Sequence, residues 1–213
     1  MTPENDPDGV IGDALEQLSR RSEVVARLVE AHGPYLPRRA LQPDVFASLA
    51  RAIIYQQLAG KAAAAIHRRF EALVEAPMSA AEVLSLDPDT IRGAGLSRAK
   101  RDAVIDLARH TEDGSLDIDD LDRLDDEAVV RSLCRVRGIG PWTAQMFLLF
   151  ELGRLDVWPT GDLGVRRGFG RAFAMSAAPS NRELEPLGDA FRPYRSIVAW
   201  YCWRVTDTPT PAS

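Results

Sequence analysis

The residues of this 213-residue chain best suited to chemistry cluster between Gly138 and Leu163. Gly138-Ile139-Gly140 places two glycines around one apolar residue, and Pro141 follows at a favoured first helical position. Glycine lets the backbone take left-handed angles and approach another surface closely. The helix that follows begins with open N–H groups and a positive dipole end, a combination suited to a phosphate. Ile139 would tuck inward and hold the turn. The same residues also suit a plain helix–helix corner with a glycine cap. Asp162 precedes a helical stripe through Val165 and Phe169, so its simplest role is an N-cap. Helix N–H groups would also hold that carboxylate in one orientation, ready to face a developing positive charge without any metal. Trp142 and Met146 stand four residues apart and share a helix face.

Other chemistries lack their residues. Cys134 and Cys202 are the only cysteines, too few for an iron–sulfur cluster or an all-cysteine zinc site. They read as buried thiols of a reducing, cytoplasmic compartment. His32, His67 and His110 are widely spaced. No apolar run is long enough to cross a bilayer, and the acidic start lacks the pattern of a signal peptide. The formal net charge of −5 argues weakly against a nucleic-acid partner. The charge is uneven, however: residues 110–127 carry nine acids and one arginine, whereas residues 131–171 carry seven arginines and three acids. Phosphate contact depends on local potential, so a basic face can work on an acidic protein. Charge alone leaves both segments equally readable as solvated surface.

The elements that must position these residues read as helices nearly throughout. A stripe of Leu15, Leu18, Val25, Leu28 and Val29 predicts one helix from Asp13 to Ala31, ended by Gly33-Pro34. Further helices are expected from Asp44, from Gly60 to Val74, over Ser79–Leu86 and Pro88–Ala94, and after the cap Ser97. Asp125 caps another that ends near Cys134. Others run from Pro141 to about Leu152, from Asp162 to about Phe173, before Gly188, and from Pro193 to Thr206. No convincing alternating strand is present. The expectation is an all-α fold, with disordered tails at 1–12 and 207–213 around a single helical domain at 13–206.

Several segments extend the hairpin into a longer pattern. Leu133-Cys134-Arg135-Val136-Arg137-Gly138-Ile139-Gly140-Pro141-Trp142-Thr143-Ala144 resembles the helix-hairpin-helix of DNA binders. Val157-Trp158-Pro159-Thr160-Gly161-Asp162-Leu163-Gly164-Val165 looks like the loop and aspartate that complete the helix-hairpin-helix-GPD superfamily of base-excision DNA glycosylases. Arg51 to Leu58, Gly95 to Lys100, Pro193 to Ser196 and Trp200 to Trp203 are similar to motifs of its DNA-3-methyladenine glycosylase II branch. The motifs occur in family order, and the resemblance covers about Ala40 to Arg204.

The resemblance implies a two-lobed helical fold with an active-site cleft between lobes and no N-terminal β-domain. The middle lobe would span about 45–150 with the hairpin at 136–143; the other would join the N-terminal helix to about 155–206. Asp162 would be the catalytic carboxylate. The family often has a second acid just before it, but here that position is Gly161. Trp142, Met146, Leu163 and Trp203 would line the base pocket, with Trp203 stacked on the flipped base. Gln57, beside Leu58, would fill the gap the base leaves, whereas Gln56 reads as a cap at a helix junction. The N–H groups of Gly138, Gly140 and Thr143 would hold a phosphate. The carbonyls of Cys134, Val136 and Ile139 would hold a monovalent cation, Na+ or K+; no other cofactor is implied. Bifunctional relatives carry a lysine where this chain has Trp142, and Lys61 and Lys100 are its only lysines. The expected activity is therefore monofunctional excision of alkylated purines, 3-methyladenine and 7-methylguanine, from double-stranded DNA. A monomer is expected. A non-catalytic DNA-binding module, or a glycosylase for another lesion class, is the alternative.

Overall fold

The computed structural model describes residues 7–36, 44–58 and 60–206, and among them every regular element is helical. The tails at 1–6 and 207–213 lie outside the described residues. The chain divides into two compact units, each taken over its described residues. One joins Met1–Pro37 to Arg154–Thr210; the other is formed by Arg38–Gly153.

In the first unit, α1 (Pro7–Arg21) and α2 (Glu23–His32) replace the single helix expected from Asp13 to Ala31. Ser22 is extended, and its hydroxyl accepts from the amide of Val25. It therefore acts as an N-cap and breaks a stripe whose apolar spacing runs straight through it. The start of α1 at Pro7 also makes residues 7–12 helical, where a tail was expected. Gly33, at φ +76°, ends α2, and the Tyr201 hydroxyl donates to its carbonyl at 2.8 Å. The C-terminal half of the unit supplies α10 (Leu163–Ala172), α11 (Asn181–Leu187), a 3-10 turn at Asp189–Phe191, and α12 (Arg195–Val205). Leu18, Val25, Val165, Phe169, Leu184, Ile197 and Val198 are buried in its core.

The packing of α10 on α12 dominates this unit. Gly164 and Gly168 lie four residues apart, on one face of α10. A Cβ at Gly168 would stand 1.9 Å from the Cys202 carbonyl oxygen, so the two helices meet at backbone distance there.

The second unit contains α3 (Val45–Tyr55), α4 (Gly60–Glu71), α5 (Ala80–Ser85), α6 (Pro88–Gly93), α7 (Arg98–Glu112), α8 (Asp126–Leu133) and α9 (Pro141–Phe150). Helix α3 is its centre and packs on α4, α7 and α9. Phe46, Leu49, Ile53, Ile54, Phe70, Val104, Leu107 and Leu133 are buried around it. Asp44, Ser79, Asp87, Ser97 and Asp125 each cap a helix through the side chain.

Candidate active site and nucleic-acid interface

The loop before α10 carries Asp162, and the start of α12 secures that loop. The Arg195 guanidinium donates to the Asp156 carboxylate at 2.8 and 3.0 Å and to its carbonyl at 2.7 Å. The Ser196 hydroxyl donates to the Arg154 carbonyl at 2.6 Å and accepts from the Val157 amide at 2.9 Å. The Trp158 indole N–H reaches the Leu184 carbonyl at 3.0 Å. Four residues of this segment, Arg154, Asp156, Val157 and Trp158, are thus tied to side chains or backbone distant in sequence. Arg195 and Ser196 belong to a recognised motif, yet their position gave no hint that they act on the aspartate's loop.

Asp162 is the N-cap of α10. Its Oδ1 accepts from the Val165 amide at 2.8 Å and from the Trp203 indole N–H at 2.9 Å. The residue is 8% exposed, whereas the adjoining Leu163 is 46% exposed. Gly164 leaves room for this arrangement: a Cβ there would lie 2.7 Å from Trp203 Cδ1 and 3.0 Å from Asp162 Oδ1. The carboxylate is thus fixed by two donors at the edge of solvent. Burial, and after it the negative charge of Asp162, push the Cys202 thiol far above its ordinary pKa.

Trp203, which the resemblance places in the base pocket, is deeply buried. It is 1% exposed and is among the largest fully buried side chains. A ring enclosed in this way has no open face for a base, and its polar edge is spent on Asp162. Its indole N–H bonds the carboxylate, where the resemblance has the ring stack on a flipped base. Position on α12 could not reveal this, because the helix is buried nearly all round.

The second unit holds the hairpin. Cys134 caps α8, and the turn closes through Val136 N–H to the Leu133 carbonyl and Ile139 N–H to the Val136 carbonyl, both at 3.1 Å. Val136 and Ile139 are buried beneath it. Gly138 adopts φ +81°, and a Cβ there would meet that of Ala103 on α7 at 3.0 Å. Asp106 of α7 accepts from the Arg137 amide at 2.8 Å. Gly140 begins α9 with no side chain capping it, so the N–H groups of the first turn, Thr143 among them, face no capping oxygen from that residue. Trp142, in this turn, is 39% exposed; Met146, one turn on, is buried.

Beside the hairpin, α3 ends in the Gln56-Gln57-Leu58 turn. Gln57 is exposed with φ +55°, a backbone conformation uncommon for a residue with a Cβ. Leu58 is exposed as well. Gln56 reaches across to the hairpin: its Nε2 donates to the Gly138 carbonyl at 2.9 Å and to Thr143 Oγ1 at 3.3 Å. That exceeds the local cap expected of it. The Lys100 ammonium donates to the carbonyls of Ile54 at 2.6 Å and Gln56 at 2.7 Å. Neither link was legible in the sequence. Together these residues border a groove of about 420 Å³ lined by Ile53, Gln57, Ala103 and Gly138 among others.

An all-helical chain with a glycine hairpin that opens a helix, and a capped aspartate at the head of a later one, defines a class of DNA-repair protein. Residues 50–193 match the HhH-GPD superfamily of base excision DNA repair proteins, and the chain belongs to that family. It is 32% identical over 193 residues to DNA-3-methyladenine glycosylase 1 of Schizosaccharomyces pombe, covering 89% of this chain and 85% of that protein. The structure of the S. pombe 3-methyladenine DNA glycosylase in complex with abasic DNA superposes with a TM-score of 0.80 at 31% identity, over 94% of this chain and 99% of the other. A DNA-3-methyladenine glycosidase from Bacillus halodurans gives 0.81 at 32% identity, over 96% and 91%.

Proposed function

We propose that this protein is a monofunctional DNA glycosylase that flips alkylated purines out of duplex DNA and hydrolyses their N-glycosidic bond. The observation that carries the reading is the buried Asp162 carboxylate, held by the Val165 amide and the Trp203 indole with Leu163 exposed beside it. As the C1′–N bond breaks, its electron pair leaves with the base and positive charge develops on the sugar. A preoriented carboxylate stabilises that charge without rearranging. Water then adds to C1′ and its proton passes to solvent. Alkylation at purine N3 or N7 makes the base a cation, so it departs neutral and needs little general acid help. The indole of Trp142, which is partly exposed, would offer an electron-rich ring to such a base. The S. pombe and B. halodurans proteins are named for 3-methyladenine, which favours that lesion, with 7-methylguanine next to it.

DNA would be gripped through the first-turn N–H groups of α9 and the amides of Gly138 and Gly140, where phosphate meets the positive helix end. The carbonyls of Cys134, Val136 and Ile139 share one turn, and hard oxygen donors of this kind suit Na+ or K+. A cation there would add positive charge behind the phosphate. Lyase chemistry needs an amine at the sugar; Trp142 offers none, and Lys100 is engaged with two carbonyls.

Base release from duplex DNA treated with a methylating agent tests the reading. The wild-type protein should free 3-methyladenine and 7-methylguanine, and borohydride should trap no covalent adduct with an abasic duplex. Asp162→Asn should still bind abasic DNA yet lose roughly a hundredfold or more in release, the loss that removing one transition-state electrostatic partner brings. Equal release by the two proteins would refute the catalytic role. Binding without release by the wild type would leave a DNA-binding module, and release of neutral lesions alone would refute the cation argument.

A further inference from the structure

We infer that Lys100 and Gln56 form a bracket coupling the hairpin's grip on DNA to the position of Gln57, so that both are positioning residues for base flipping. This rests on the proposed glycosylase reading and on Gln57 as the residue that enters the duplex. The bracket has two arms. One is the Lys100 ammonium, which takes the carbonyls of Ile54 and Gln56 at 2.6 and 2.7 Å. The last carbonyls of a helix have no partner within it, and a cation at that end also meets the negative pole of the dipole. The other is the Gln56 side chain, which donates to Gly138 and Thr143 of the hairpin. Gln56 therefore has its backbone held from α7 and its side chain held on the hairpin.

Gln57 is the residue that follows. It is exposed, and its φ of +55° is a conformation that the surroundings must enforce. The two bonds from Lys100 end immediately before it. If they are lost, the carbonyls of α3 are left to water and the turn can relax toward ordinary angles, which would re-aim the side chain. The hairpin carbonyl gripped by Gln56 belongs to Gly138, whose own amide is one of those proposed to hold the phosphate. A phosphate seated on the hairpin thus sets how far Gln57 stands from the lesion. Partial burial lowers the Lys100 pKa from its ordinary value, in keeping with an ammonium turned to backbone carbonyls at the groove. A lysine placed for phosphate would instead leave its charge in solvent.

Two measurements test this. The first is amide hydrogen exchange on the free protein, which needs no activity. Lys100→Met should speed exchange at residues 56–58 and also at 138–143, although the hydrogen bonds of Lys100 go to Ile54 and Gln56, while α5 and α8 keep their protection. Faster exchange at 56–58 alone, in the whole unit, or nowhere would overturn the coupling. The second is single-turnover release of 7-methylguanine from a fully paired duplex and from one with the lesion opposite an abasic site. Lys100→Met should lose roughly fivefold or more on the paired duplex and much less on the open one, since only the former must be prised apart. Lys100→Arg, which keeps donors for both carbonyls, should recover most of the loss. The Lys100→Met change should add little to Gln57→Ala, because it acts through the same residue. Equal losses on both duplexes, or a full additional loss in the double variant, would refute the bracket. So would a fall of about one in the salt dependence of binding, the mark of a direct phosphate contact. Absence of base release by the wild type would sink the glycosylase reading, and the exchange experiment would still decide the bracket.

Discussion

Replacing Trp203 by phenylalanine separates two roles that an aromatic in a glycosylase can play. The change removes one hydrogen bond, 2.9 Å long, from the indole to the buried Asp162 carboxylate. A bond to a charged group contributes about 1.5–3 kcal/mol. Val165 still holds the same oxygen at 2.8 Å, so the carboxylate loosens without being released. The lower end of that range applies, and 1.4 kcal/mol corresponds to roughly tenfold in the rate of base release. The smaller ring also leaves space beside Gly164, where the indole now packs closely. Lost packing and lost hydrogen bond together should cost about 3 kcal/mol of stability, or roughly 6–12 °C in Tm. Single-turnover release of 7-methylguanine at 25 °C, paired with equilibrium binding of abasic duplex, gives the readout. A positioning role predicts the slower chemical step with DNA affinity changed by no more than about twofold, well under 1 kcal/mol. Full rate at saturating protein with weakened substrate binding would refute the reasoning and restore Trp203 as a stacking surface.

Gly168→Ala places a methyl group 1.9 Å from the Cys202 carbonyl oxygen, and backbone cannot yield as a flexible side chain would. The variant should lose about 3 kcal/mol or more in urea unfolding, and a loss below 1 kcal/mol would show that α10 and α12 can part. Burial, together with the charge of Arg51 and against that of Glu71, lowers the His67 pKa below 6.5. The unfolded chain therefore takes up the proton first, so stability is full above about pH 6.5 and falls as pH drops toward the folded value. His67→Phe should remove that part of the slope between pH 7.5 and 5.5 in urea midpoints; an unchanged slope would assign it elsewhere. Glu151 acts in the opposite sense: burial raises its pKa despite the Ser48 hydrogen bond and Arg51, so its charge weakens the fold as pH rises through that value. Glu151→Gln should accordingly stabilise the protein at pH 7 relative to pH 4.5, and a loss at both would refute the assignment.

What the sequence could disclose depended on the range of the interaction. Asp162 as a helix cap, Ser97 and Asp125 as caps, and the Gly138 turn are decided within a few residues, and each stands where spacing put it. Ser22 failed for an instructive reason. The apolar period continues unbroken across it, so periodicity reports one helix while the local hydroxyl-to-amide bond makes two. The orientation of Trp203 was beyond reach for a different reason. Ile197, Val198, Ala199, Tyr201, Cys202 and Trp203 are all buried, so α12 has no polar face to say which way any one of them points. Lys100 and Gln56 act across 44 and 82 residues of sequence, on backbone atoms that carry no residue signature.

One signal was present and easily misread. Gly164, Gly168 and Gly170 make α10 a poor helix by intrinsic propensity, and a reader of propensity alone would discount it. The first two share the face on which α12 lies. Their missing side chains let the Cys202 backbone approach at Gly168 and let the Trp203 indole slide over Gly164 until its N–H meets Asp162. The helix that carries the carboxylate is therefore weakened locally so that its neighbour can come close enough to fix it. A bulkier α10 would be the better isolated helix. It would hold α12 away, and Asp162 would lose the indole N–H that shares its Oδ1 with the Val165 amide.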